Sequence, residues 1–267
     1  MIRKPCVAGS FYPLNSQPLK KSVAGFLDQG AAKEKARAII APHAGYVYSG
    51  HVAGAVYSSI VMPDTVVFIG PNHTGCGPDV SIMTQGTWEV PLASANVNAD
   101  LASLITEETD LLSEDFSAHA LEHSLEVQLP FILTLNKSAT IVPITVMRAR
   151  PKDCRTIGEA IASAIKRFKS DVLIVASSDM NHYESDRTTR SKDALAIERV
   201  TSLDPEGLIK VTTMEGISMC GVLPAAITLS AAIALGATNA RLVRYATSGD
   251  VSGDYSQVVG YAGFIIK

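Results

Sequence analysis

Three apolar runs in this chain end in the same way, on a loop that carries a histidine. IIA (39–41) leads into PHAGYVYSG with His43, and VVFIG (66–70) leads into PNHTGCG with His73. VLIVASS (172–178) leads into DMNHYE, with Asp179 and His182. Imidazole is the commonest metal ligand in proteins. Two histidines plus one anionic side chain, with coordination positions left open, make a catalytic metal site. Asp179 and Cys220 are the candidates for the anionic place. Cys220 stands in SMCGVLPAA, just ahead of a helical pattern. The positive end of a helix favours thiolate there, although free cysteines are just as commonly small buried hydrophobes. His182 is then available to move protons near neutral pH, with Asp179 to orient it or to stand in the outer shell of the site. A plainer use of SSD is to cap a following helix.

Weaker patterns compete. HALEH (119–123) satisfies H-x-x-E-H, the inverted zinc-peptidase pattern. On a helix it would put His119 and His123 on one side, one turn apart, but no further acidic ligand can be identified. Cys76, three residues after His73, could act as a ligand or as part of a Gly-rich turn. TSGDVSGDYS (247–256) could cradle an anion on its backbone N–H groups. It lacks the lysine and spacing of a P-loop, so a polar hairpin turn is the expectation.

The elements that must position these residues follow from the hydrophobic pattern. Strands are expected at 36–41, 64–70, 140–146 and 171–177, several apolar without alternation, as in strands covered on both faces. Two more are expected at 240–246 and 257–267. Helical patterns lie near 17–28, 50–60, 98–106, 121–135, 155–169, 188–202 and 221–236, with Pro130 kinking or ending one of them. This alternation predicts an α/β fold: a single-domain, three-layer αβα sandwich over residues 1–267, with a mixed, largely parallel central sheet. Ligands of such sheets bind outside the carboxyl ends of the strands, which is where three of the six histidines would gather.

Composition narrows the partners. The 267 residues are 47% hydrophobic and 18% charged, which excludes a disordered chain. A net charge of −3 with no basic stripe argues against nucleic acid or acidic lipid. The uncharged stretch from Gly216 to Ala240 is rich in small residues and holds Pro224. It reads as a turn with Cys220 followed by a buried helix, not a membrane span. MIRKPCVAGSFYP has no apolar signal core, and the four cysteines form no CxxC pair, so a reduced, cytoplasmic protein is expected.

PHAGYVYSG, GPNHTG, EHSLEVQLPF, SSDMNHYE and YATSGDVSGDYSQVVGYAG together resemble the Memo family, whose microbial members are called AmmeMemoRadiSam system protein B. The resemblance runs from about Pro5 to the C-terminus. It implies a fold and pocket similar to class III extradiol dioxygenases, in which two histidines and a glutamate hold non-haem Fe(II). By motif, it implies His43, His73 and Cys220 as metal ligands and His182 as the acid–base group, with Asp179 beside it. His123, Asn72, Tyr48, Ser248 and Asp250 fall within the shared motifs as pocket residues. Cysteine where the dioxygenases have glutamate softens the donor set, so Cu or Zn joins Fe(II) among the implied metals. The implied function is a metal-dependent oxidoreductase acting on a small molecule. A non-catalytic metal- or peptide-binding protein and a metal-dependent hydrolase are the rivals. The family name associates such proteins with radical-SAM and AMMECR-type partners, and a homo-oligomer is a further expectation.

Overall fold

The computed structural model describes residues 1–267. Along the chain, β1 (Ile2–Arg3), α1 (Ser16–Phe26), β2 (Ala38–Ala41) and α2 (Tyr46–Ser58) lead to β3 (Thr65–Pro71). Three short strands follow, β4 (Val80–Ile82), β5 (Thr87–Val90) and β6 (Ala93–Asn96), then α3 (Ala99–Glu108), β7 (Ser113–Glu114) and α4 (Ser117–Ala120). A 3-10 turn at Glu126–Gln128 opens α5 (Leu129–Leu135). Next come β8 (Thr140–Val146), α6 (Pro151–Phe168), β9 (Val172–Ser177) and β10 (His182–Glu184). The chain closes with α7 (Asp186–Thr201), α8 (Pro205–Met214), α9 (Val222–Ala234), β11 (Ala240–Thr247), α10 (Gly249–Ser252) and β12 (Val258–Ile266).

The main sheet has nine strands, in the order β10-β12-β2-β9-β3-β8-β4-β7, with β11 also paired to β12. Its centre, β2-β9-β3-β8, is parallel. The edges are mixed, because β12 runs antiparallel to β2 and β4 antiparallel to β8. The β11–β12 hairpin expected from the sequence is present. Side chains of the central strands alternate between two cores. Ile40, Val67, Ile69, Ile144 and Ile174 join α3, α6, α7, α8 and α9 on one face. Ile39, Val66, Phe68, Val175 and Ile265 join α1, α2 and α5 on the other. Strands apolar on both faces therefore form the middle of a three-layer αβα sandwich.

The helix α2 sits close against α1 because Gly54 and Gly50 leave room. A Cβ at Gly54 would meet the Phe26 carbonyl at 2.3 Å, and one at Gly50 would meet its ring at 2.5 Å. No helix is long and apolar enough to cross a membrane.

Three details depart from the sequence expectations. The helix expected over 121–135 is instead a turn followed by the 3-10-to-α5 run, with the short α4 ending just before it. Pro130 sits in the first turn of α5, where its missing N–H has no intrahelical partner to lose. It starts this helix instead of kinking it. α8 was not foreseen, nor was the second small sheet β1-β5-β6 that fastens the N-terminal segment.

Candidate metal centre

The loops after β2, β9 and β3 lie side by side, because these strands are neighbours and parallel. They bring His43 and His73 to one edge, where the turn after α4 adds His123. One ring nitrogen from each of His43, His73 and His123 lies within 4.8 Å of the others. Ring centroids are 5.3 Å apart for His43 and His73, 5.5 Å for His43 and His123, and 4.7 Å for the stacked pair His73 and His123. Cys220, in the turn before α9, places its Sγ 3.2 Å from His43 Nε2.

The rings of His43 and His73 are held by their Nδ1 edges. Ser177 Oγ donates its one proton to the Ser124 carbonyl at 2.6 Å and accepts from Gln128 Nε2 at 2.9 Å. It must therefore accept from His43 Nδ1, 2.9 Å away. The proton of His43 is thus on Nδ1, and the Nε2 lone pair faces Cys220. Glu122 does the same for His73, with Oε1 3.0 Å from Nδ1 and Oε2 accepting the His73 backbone N–H at 2.5 Å. Glu122 Oε1 also lies 3.4 Å from His123 Nδ1. Acceptors behind Nδ1 with bare Nε2 atoms in front are the outer-shell arrangement of metal-binding histidines.

The electrostatics agree with this. Burial, reinforced by His123 and His73, pushes His43 well below the usual imidazole range, so it stays neutral. Burial also lowers His123, against the pull of Glu122. Burial alone would raise Glu122, but the His73 ring N–H and the backbone N–H groups of Ser124 and His73 bring it down to about 2. It remains a carboxylate throughout the neutral range.

Cys220 departs from the expectation that a helix start makes it a ready thiolate. The N–H of Gly221, the residue before α9, is spent on Ser178 Oγ at 3.0 Å. Burial, with the Asp179 carboxylate nearby, pushes the thiol up. Its S–H points at the bare His43 Nε2 instead. The three imidazoles fit a metal ion; Cys220 lies against His43 outside that triad, with a sulfur that can exchange its proton for a cation. In a tetrahedral site, metal–N bonds of ~2.1 Å and a metal–S bond of ~2.3 Å put donors roughly 3.4–3.6 Å apart, so the ring nitrogens, now within 4.8 Å of one another, would draw together and Cys220 Sγ would move slightly away from His43 Nε2, 3.2 Å distant.

The other sequence candidates fall in different places. His182 opens β10, with Nδ1 2.9 Å from the Ser218 carbonyl. Since a carbonyl only accepts, Nδ1 carries a proton, and in the neutral ring Nε2 is the bare nitrogen. Asp179 is buried and takes the outer-shell place of the two open to it, behind His43 and without a hydrogen bond to His182. Its Oδ1 accepts the backbone N–H groups of His43 at 2.8 Å and Ala44 at 3.3 Å, clamping the His43 loop. SSD caps no following helix either, since α7 is capped by Ser185.

Asn72 holds the His73 loop through Oδ1, which accepts from the Thr74 and Gly75 N–H groups. Tyr48 is exposed on the first turn of α2. Ser248 Oγ accepts from Val259 N–H at 3.0 Å. Asp250 is taken by Arg190, at 2.8 and 2.9 Å, and by the Thr247 N–H. Ser248 and Asp250 thus build the hairpin turn. Cys76 is exposed, in the turn after His73.

The zinc-peptidase pattern fails. His119 is fully buried, its ring 6.0 Å from the Trp88 ring and both nitrogens without partners. α4 ends at Ala120, so His119 and His123 do not share a helix face. Glu122 is the residue that sequence reasoning missed, and its only signal was being a carboxylate beside His123. Glu122→Gln is expected to lower metal affinity ~10–100-fold while leaving every donor in place. Competition against a chromophoric chelator measures this; an unchanged affinity would show that the carboxylate does not serve the site.

A family model for Memo-like proteins matches residues 3–265. A MEMO1 family protein of Methanopyrus kandleri is 40% identical, over 100% of this chain and 99% of its own length. One from Ignicoccus hospitalis is 42% identical, over 98% of this chain and 97% of its own. One from Thermotoga maritima is 40% identical over the full length of both. Among solved structures, an uncharacterized protein of Escherichia coli K12 is similar at a TM-score of 0.55 and 12% identity, covering 86% of this chain and all of that one. That likeness is one of fold alone.

Proposed function

This chain belongs to the Memo family, and we propose that it is a metal-dependent oxidoreductase acting on a small molecule. His43, His73 and Cys220 are the proposed protein ligands, His123 stands beside them, and His182 is the proposed acid–base group. The observation that supports this most is the cluster of three histidines within 4.8 Å, backed by Nδ1 acceptors, with a thiol against one Nε2. Fe(II) is the proposed ion, from the resemblance of the pocket to oxygenase sites with two histidines and one anionic ligand; imidazole and thiolate also suit copper or zinc.

When bound, the ion would supply open positions for substrate and dioxygen and the electron exchange between them. The chain's own groups do the rest. Ser177 and Glu122 accept the Nδ1–H groups of His43 and His73 and so fix the orientation of both rings. Asp179 fixes the His43 loop through two backbone N–H groups. Nε2 of His182 accepts a proton from a substrate hydroxyl and can return it to product.

The test is metal analysis of the full chain purified without oxygen, followed by optical spectroscopy on adding catechols and then dioxygen. About one equivalent of iron per chain and a spectral change that needs both additions are expected. Stoichiometric metal with no response to either would favour a non-catalytic binding protein. No metal at all would overturn the proposal.

A further inference from the structure

The imidazole of His182 is fixed from behind by a network that the proposed reaction does not itself use, running from Ser218 at the surface to the buried Asn181 and Asp193. Ser218 meets His182 twice, its Oγ accepting the backbone N–H at 2.8 Å and its carbonyl accepting Nδ1–H at 2.9 Å. Ser218 is held in turn by Asn181, whose Oδ1 accepts the Ser218 N–H at 3.1 Å and its hydroxyl at 3.2 Å. The amide orientation of Asn181 is set by its other end. Nδ2 donates to Glu184 Oε2 at 2.7 Å, and a carboxylate can only accept.

The backbone of Asn181 is equally committed. Its N–H donates to Asp193 Oδ1 at 2.9 Å, and its carbonyl accepts from Gly260 at 2.9 Å. Asp193 is buried and takes the Tyr245 hydroxyl at 2.7 Å on its other oxygen. Its approach depends on Gly260, where a Cβ would lie 1.9 Å from Asp193 Oδ2. Asn181 is 1% exposed, and all of its polar groups are satisfied. It spans an irregular pairing: the register of β10 on β12 shifts between His182 and Glu184, and Tyr183 between them has φ +60°. A bulky residue in the left-handed region is strained, and the Asn181 amide ties the chain on both sides of it, to Glu184 directly and to His182 through Ser218.

We propose that Asn181 is a positioning residue which, through Ser218, locks His182 in the Nδ1–H form and keeps its Nε2 lone pair bare. This rests on the reading of His182 as the proton-transfer group, because a tautomer lock matters to a base and not to a bystander.

The test reads the tautomer directly, without a substrate. The full metal-free chain is labelled with 15N-histidine and examined by long-range 1H–15N correlation at about pH 8, where an ordinary imidazole is neutral. His182→Gln assigns the resonance by its disappearance. The unmodified chain is expected to show His182 almost wholly as the Nδ1–H form. Asn181→Ala is expected to lose that preference and show both tautomers in exchange, while the signals of His43 and His73 stay in place. Unspecific loosening of the fold would move all three. Ser218→Ala keeps the carbonyl and its N–H to Asn181, so the Nδ1–H form should persist.

An Nε2–H or mixed His182 in the unmodified chain would overturn the proposal whether or not the variants fold. Persistence of the Nδ1–H form in Asn181→Ala would overturn it too. A locked tautomer combined with full turnover in His182→Gln would remove the acid–base role and leave the positioning intact.

Discussion

Cys220→Ser is expected to strip the chain of most of its metal affinity and to change how that affinity depends on pH. A hydroxyl is close to a thiol in size, so the turn before α9 should fold as before. It is a far weaker ligand, because it keeps its proton where a thiolate bound to a metal has lost one. The loss should exceed the ~10–100-fold that an outer-shell partner is worth. Burial and the nearby Asp179 carboxylate push the Cys220 thiol up, so in the metal-free chain it is protonated through the neutral range. Binding a cation expels that proton. His43 and His123, pushed down by burial, are already neutral there and release none. The apparent log affinity should therefore rise by about one per pH unit from this residue, and Cys220→Ser should lose that slope. Equal metal retention after mild chelation, with the slope intact, would remove Cys220 from the ligand set. Global unfolding of the variant would instead make it the small buried hydrophobe that its sequence context equally allowed.

The half of the site carried by strand ends was legible in the sequence, and the half carried by irregular chain was not. His43 and His73 follow apolar runs that pack on both faces, and such runs have few alternatives to central parallel strands. Once those strands are adjacent, the loops after them must be adjacent too. Residues 115–128 offer no such pattern. They hold a single helical turn, a bend and a 3-10 turn, too little for a periodicity to show.

What shapes this segment is distant in sequence. Arg3, buried and stacked 4.5 Å over the Trp88 ring, donates Nε to the His119 carbonyl at 3.1 Å and Nη2 to the Glu122 carbonyl at 2.6 Å. It also pairs with buried Glu126, whose other oxygen takes the Tyr12 hydroxyl at 2.5 Å. These contacts turn His119 into the core and leave Glu122 and His123 facing the pocket, so a motif read as one helix face is split between two environments. The same holds for Asp179 and His182. Three residues apart, they looked like a working pair. The left-handed residue Tyr183 and the shifted register send His182 to Ser218, while Asp179 stays under the His43 loop.

His182→Gln is expected to leave metal content unchanged and to lower any oxygen-dependent turnover by ~10²–10⁴-fold, the usual worth of a positioned acid–base group. The separation of the two effects follows from the geometry. His182 Nδ1 is committed to the Ser218 carbonyl, and the ring is not among the three whose nitrogens cluster within 4.8 Å. Its position still bears on the pocket, since a proton placed on it would disfavour one on His43 and favour the Asp179 carboxylate. Glutamine keeps a polar side chain of similar reach but cannot take up a proton near neutral pH, so the substitution removes the chemistry with little change in packing. Metal stoichiometry and turnover measured on the same preparation separate the outcomes. A parallel fall in both would make His182 a ligand. Parent-like values for both would make it a surface residue held by Ser218 for structural reasons. Only retained metal with lost turnover fits a base whose lone pair is held bare toward the substrate.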